Sequence, residues 1–191
     1  MNILLDLASA FGLSTSAGLN AYIPLLTLAV LARFTSLAQL EEPWSALTNG
    51  WIIGIIVVLL AVDILADKIP VVDSINDIIQ TVVRPTAGAI LFAATTQSSI
   101  QVHPLLAMGC GVLLAGGVHV VKSGARPVLT ATTGGVANPI VSTIEETLSV
   151  VTAFIAIIFP YLIVIWGVLL VVLIALIIQY RRNRKMQHRA R

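Results

Sequence analysis

Of the 191 residues, 58% are hydrophobic and only 10% charged, with a mean hydropathy of +0.98. A water-soluble domain carries about 25% charged residues, so the composition excludes one and predicts an all-α integral membrane protein. The net charge of +2 conceals an asymmetry: six of the eleven Lys and Arg lie in the run Arg181–Arg191, leaving five basic against nine acidic residues before it. Such a tail reads as a topology anchor touching anionic lipid headgroups at the cytoplasmic face, not as a nucleic-acid surface. The lone Cys110 excludes an intrachain disulfide framework, and no cofactor is expected.

Met1–Asp6 lacks the positive charge of a secretory signal, and the small triplet Ala8-Ser9-Ala10 precedes the apolar stretch instead of following it, so the first segment is expected to stay in the protein. Roughly twenty apolar residues cross a bilayer core. On that test Leu7–Ala32 predicts a first span, uncharged but softened by Ser14, Thr15, Ser16, Asn20 and Pro24. Trp51–Val62 predicts a second, entered through Trp44 and Trp51. Pro70–Thr96 is kinked by Pro85 and charged in its first half; Pro104–Val121 is uniformly apolar. Pro139–Phe159 opens on Ser142, Glu145 and Glu146, and Tyr161–Ile178 is almost wholly aliphatic. The expectation is a polytopic bundle of about six spans in one domain, residues 1–180, followed by the basic tail 181–191. Segments 70–96 and 139–159 are either tilted spans or re-entrant, since irregular backbone at depth survives only against protein or a cavity. Placing Lys68, Lys122, Arg126 and the tail on one side puts both termini in the cytoplasm, the Arg33–Gly50 loop outside, and the protein in the inner membrane.

An internal echo accompanies the spans. Pro70–Gln80 aligns without gaps on Pro139–Ser149, and Ser16-Ala-Gly-Leu-Asn20 resembles Leu114-Ala-Gly-Gly-Val-His119, in the same order. That order predicts a diverged duplication with halves 1–100 and 101–180, the design that places transporter sites at a repeat interface.

Ionisable groups inside apolar segments mark a site by default. Between Asp63 and Pro85 stand Asp63, Asp67, Asp73 and Asp77 with Lys68 and Arg84. On a helix, Asp73, Asp77, Gln80 and Arg84 share one stripe, and Ile75, Ile78, Ile79, Val82 and Val83 largely cover the opposite side. Glu146, Ser149 and Thr152, with Ser142 and Glu145 alongside, form a corresponding stripe after Asn138-Pro139. Two such faces predict an ion pathway, with the carboxylates ligating a cation or relaying protons. The bland alternative is that Arg84 and Lys68 neutralise the aspartates and the stripes only glue helices together. The link from Lys122 and Arg126 through Thr132, Thr133, Gly134 and Gly135 is a candidate anion contact, or else an ordinary connector capped by Asn138. It lacks the Gly-Lys-Ser/Thr close of a P-loop.

Ala66-Asp67-Lys68-Ile69-Pro70-Val-Val-Asp73, Arg84-Pro85-Thr-Ala-Gly88, Lys122 and Arg126, Thr130-Ala-Thr132-Thr133-Gly134-Gly135 and Asn138-Pro139-Ile-Val-Ser142-Thr-Ile-Glu145-Glu146 resemble the bacterial membrane family catalogued as domain of unknown function 4126. The resemblance covers nearly the whole chain up to the tail and implies no activity. Asp63-Ile-Leu-Ala-Asp67-Lys68 is distantly similar to the Glu-x-Gly-Asp-Lys motif of a cation/proton exchanger family, with Asp63 for the glutamate, Ala66 for the glycine and a spacing shifted by one residue.

These features predict a small transporter or channel for an ion or metabolite, with a cation or proton at the intramembrane carboxylates favoured over a phosphate-bearing substrate at Lys122 and Arg126, embedded in membrane lipid and open to homo-oligomerisation. An enzyme is not expected: His119 and Ser123 stand i, i+4, but Gly-x-Ser-x-Gly and Gly-x-Gly-Asp are absent. A non-transporting membrane adaptor using the tail is the third class.

Overall fold

A computed structural model describes residues 3–97, 103–134 and 136–169, without the side chains of residues 70, 71, 73 and 74. The helices run α1 (Ile3–Leu19), α2 (Tyr22–Phe34), a 3-10 turn (Trp44–Thr48), α3 (Gly50–Ala66), α4 (Pro70–Thr96), α5 (Pro104–Thr133), α6 (Asn138–Ile158) and α7 (Pro160–Leu169). No strand occurs among the described residues. Three helical stretches, Ile75–Thr96, Pro104–Thr133 and Asn138–Ile158, are long and apolar enough to cross a membrane, and α1, α2, α3 and α7 are shorter apolar helices.

The predicted first span is instead two helices. At Asn20 the chain breaks, and Asn20 Oδ1 accepts the Tyr22 and Ile23 amides at 3.0 and 3.2 Å, the bonds of an N-terminal cap that starts α2 afresh. The direction reverses as well. Leu5, Asp6 and Ser9 of α1 share a cavity with Leu28 of α2, Leu37–Leu40 beyond it, and Thr95 at the end of α4. The start of α1 and the end of α2 therefore lie at one end of the bundle, with Asn20 at the apex of a helical hairpin. Hydropathy could not see the reversal, because both arms are apolar. The N-terminal residues consequently share an end with the 35–49 loop, which corrects the arrangement that set them on opposite sides.

The other helices fall into register around α1. Phe11 meets Phe92 edge-on at 5.4 Å between ring centroids, and Ser14 Oγ donates to Gly88 O at 3.0 Å, so α4 runs antiparallel to α1. Ser16 Oγ donates to Ser149 O at 2.9 Å, which places α6 antiparallel too. Helix α5 runs parallel to α1: Lys122 donates to Leu19 O, so the hairpin apex reaches only partway along α5. At 30 residues α5 is about 45 Å long, against about 25 Å for the 17-residue α1. Helix α5 thus extends beyond the apex of the hairpin.

Segments 70–96 and 139–159, expected to be tilted or re-entrant, fall on the continuous helices α4 and α6, and Pro85 lies inside α4 without ending it. The two halves also differ where the echo would align them, since the chain breaks at Asn20 but runs helical through His119. The second part of Tyr161–Ile178 and the tail 181–191 lie outside the described residues.

Small residues set the spacing. A Cβ on Gly88 would lie 2.5 Å from Ala115 Cβ and 2.6 Å from Gly111 O, and one on Gly18 would lie 2.6 Å from Ala115 O. Backbones at such contact distances exploit small side chains for dispersion, the packing available where lipid removes the hydrophobic drive between helices.

Candidate functional site

Helix α3 is hydrophobic all round and leaves most of its surface exposed; Ile56, Asp63 and Ala66 are its only buried residues among those described. Its single carboxylate is therefore turned inward. Asp63 is 2% exposed. Oδ2 accepts Asn20 Nδ2 at 2.7 Å, and Oδ1 accepts Asn76 Nδ2 at 2.7 Å and Gln80 Nε2 at 2.6 Å. Three amides hold the carboxylate, and among the described residues no cation touches it. Asn20 thereby serves two ends: its oxygen caps α2 while its amide binds Asp63, so the carboxylate sits just beyond the positive end of the α2 dipole. The negative end of α1 is met reciprocally by the Lys122 ammonium, 3.0 Å from Leu19 O.

A second layer surrounds Arg126. Its guanidinium lies 3.0 Å from Asp77 Oδ2, 3.4 Å from Glu145 Oε2 and 3.6 Å from Asp67 Oδ2, and donates to Ser142 Oγ at 2.9 Å. Lys122 pairs with Glu145 at 2.8 Å, and Asn76 also reaches Asp67 Oδ1 at 3.1 Å. One cation on α5 therefore ties α4, α6 and the end of α3 together. Ion pairs of this kind barely repay desolvation when complete, but losing one partner strands the others in a poor solvent for charge.

The third layer is Arg84, fully buried, whose Nη1 donates to His119 Nδ1 at 3.0 Å. A guanidinium only donates, so Nδ1 must accept and the imidazole carries its proton on Nε2, which faces Thr81 Oγ1 at 3.1 Å. Thr81 Oγ1 passes its own proton to Asp77 O at 2.9 Å.

The predicted pathway residues divide accordingly. Asp63, Asp67, Asp77, Arg84, Ser142 and Glu145 converge in one polar cluster. Glu146 is half-buried beside it, within electrostatic reach of Asp67 and Asp63. Asp73 belongs to α4, but its side chain lies outside the described residues. Asn138 does not join; it exchanges hydrogen bonds with Thr130 across the α5–α6 turn. Among the described side chains, the stripes of α4 and α6 are joined through Arg126 of α5, which pairs with both Asp77 and Glu145. Arg126 and Lys122 make the ion pairs with the described carboxylates, while Arg84 hydrogen-bonds His119 and acts on Asp63, Asp77 and Asp67 through space, and Lys68 is exposed.

The anion contact comes apart. Lys122 and Arg126 are committed to carboxylates, while Thr132 and Thr133 are exposed and return their hydroxyls to Val128 and Leu129 carbonyls of their own helix. Gly134 ends α5 in the left-handed conformation at φ 63°, as a C-terminal glycine does, and Gly135 lies outside the described residues. His119 and Ser123 form no pair, because Ser123 Oγ donates to Val120 O. Among the described residues no group of three or more His, Cys, Asp or Glu is placed to hold a metal ion.

Asn20, Asn76 and His119 were missed as site residues. Asn20 and His119 are each a lone polar residue in an apolar run, whereas Asn76 stands beside Asp77 in the acidic segment; the polar groups of all three need partners away from water.

Fold and site together define an all-helical protein, with helices apolar enough for a membrane, that buries an acid-rich polar cluster in one half of its bundle. Within that class the chain belongs to the family described as a domain of unknown function (DUF4126), whose model matches residues 7–180. No curated protein and no solved structure matches the chain.

Proposed function

We propose that this protein is a small membrane transporter or channel that handles a proton or a monovalent cation at Asp63. The carrying observation is a carboxylate 2% exposed, held by three neutral amides and touched by no cation among the described residues, at the apex of a broken-helix hairpin. Arg126 and Lys122 are taken up by Asp67, Asp77 and Glu145, which leaves Asp63 as the carboxylate that a bound proton or cation can join. Discontinuous helices whose ends face a buried ion suit such a site. A phosphate-bearing substrate gains no support from Lys122 and Arg126, which both face carboxylates.

In this reading α1 and α2 form a re-entrant hairpin. The N-terminus and the 35–49 loop face outside; Lys68 and the basic tail face the cytoplasm. Purified protein in liposomes, screened with pH- and alkali-cation-sensitive dyes, should dissipate a proton or monovalent-cation gradient faster than empty liposomes. Flux of a phosphate-bearing solute with no cation flux would overturn the reading.

A further inference from the structure

Four buried polar atoms in the cluster have no partner among the described residues: Asp77 Oδ1, Gln80 Oε1, Arg84 Nε and Arg84 Nη2. They belong to one stripe of α4, at positions i, i+3 and i+7. Nε and Nη2 share the edge of the guanidinium that makes bidentate contacts, and Arg84 is fully buried. The neighbours that could have filled that edge are already committed. His119 takes Nη1, Thr81 lies between His119 and Asp77 O, and Gln80 directs its amide nitrogen to Asp63, leaving only its oxygen.

We propose that the α4–α5 interface binds a small cluster of internal water molecules on the open edge of Arg84, bridging it to Gln80 Oε1 and Asp77 Oδ1. The demand is two-sided, and this selects the ligand. An anion would satisfy Arg84 but face the Asp77 carboxylate and give Gln80 Oε1 no proton; a metal cation would satisfy the two oxygens and meet Arg84 head-on. Water accepts from the guanidinium and donates to both oxygens, and a buried water typically makes about three hydrogen bonds. The cluster explains how a fully buried guanidinium with one neutral partner stays solvated. It also gives Asp77 a proton-exchange route inside the bundle, and it stands whether or not the protein transports anything.

A density map of the full chain in lipid nanodiscs, at a resolution that separates ordered waters, tests this directly. Expected are at least two peaks within about 2.7–3.2 Å of Arg84 Nε or Nη2, with one also reaching Gln80 Oε1 or Asp77 Oδ1. Direct contact of Nε and Nη2 with a protein carboxylate overturns the proposal, as does a single peak that bromide replaces with anomalous signal. Water-edited solid-state NMR on arginine-labelled protein gives an independent reading. Rapid transfer of water magnetisation to the Arg84 Nε proton is expected, and none at long mixing times would refute the site.

Discussion

The two halves of the α4–α5 pairing are built by opposite means. Beyond Pro85, Gly88 lies against Gly111 and Ala115 with backbone on backbone. Before Pro85, the same two helices are joined by long polar side chains: Asp77 to Arg126, and Thr81 and Arg84 to His119. The first half has one tight arrangement, since interiors at crystal-like density tolerate little added volume. The second is held by hydrogen bonds and an ion pair between long side chains, so its stability depends on charge while that of the glycine contact depends on volume.

Replacing Arg126 should break the polar half most severely. Arg126→Met leaves Asp67, Asp77 and Glu145 without their shared cation, and a loss of about 3–5 kcal/mol is expected, read as a large fall in detergent melting temperature and folded yield. The packed half should fail through sterics alone. Gly88→Ala drives a methyl into Ala115 Cβ at 2.5 Å, at a cost of about 1–3 kcal/mol that does not vary with pH or salt. Asp63→Asn keeps the volume but turns an amide donor toward a ring of donors, so stability should drop by about 1–2 kcal/mol, less than at Arg126. Lys68→Ala sharpens the contrast from the weak end: Lys68 is exposed, and its melting shift should correspond to less than about 0.5 kcal/mol.

Legibility in the sequence followed the same division. The α4 stripe was readable because helical periodicity alone places Gln80 and Arg84 inward and Ile75, Ile78, Ile79 and Val82 outward, as the structure has them, although Val83, expected on the same outer side, is half-buried against the core. The hairpin was not, because hydropathy measures the polarity of Leu7–Ala32 and carries no information on its direction. Asn20, alone among apolar neighbours after Ser14-Thr15-Ser16, was the available sign of a break. Lys122 and Arg126 were assigned to an anion because a linear reading sees the hydroxyls that follow them. Their carboxylate partners come from α3, α4 and α6, and pairing between helices has no local signature. Two cations at i, i+4 inside an apolar helix still demand buried counter-charges, and that demand pointed to the acidic stripes.

Proton and alkali-cation flux through proteoliposomes carrying wild-type or Asp63→Asn protein, normalised to the folded fraction, tests the central claim most directly. Asp63→Asn should remain folded and lose the flux, because the amide neither titrates nor balances a cation. Equal normalised flux from the two proteins would contradict a transport site at Asp63.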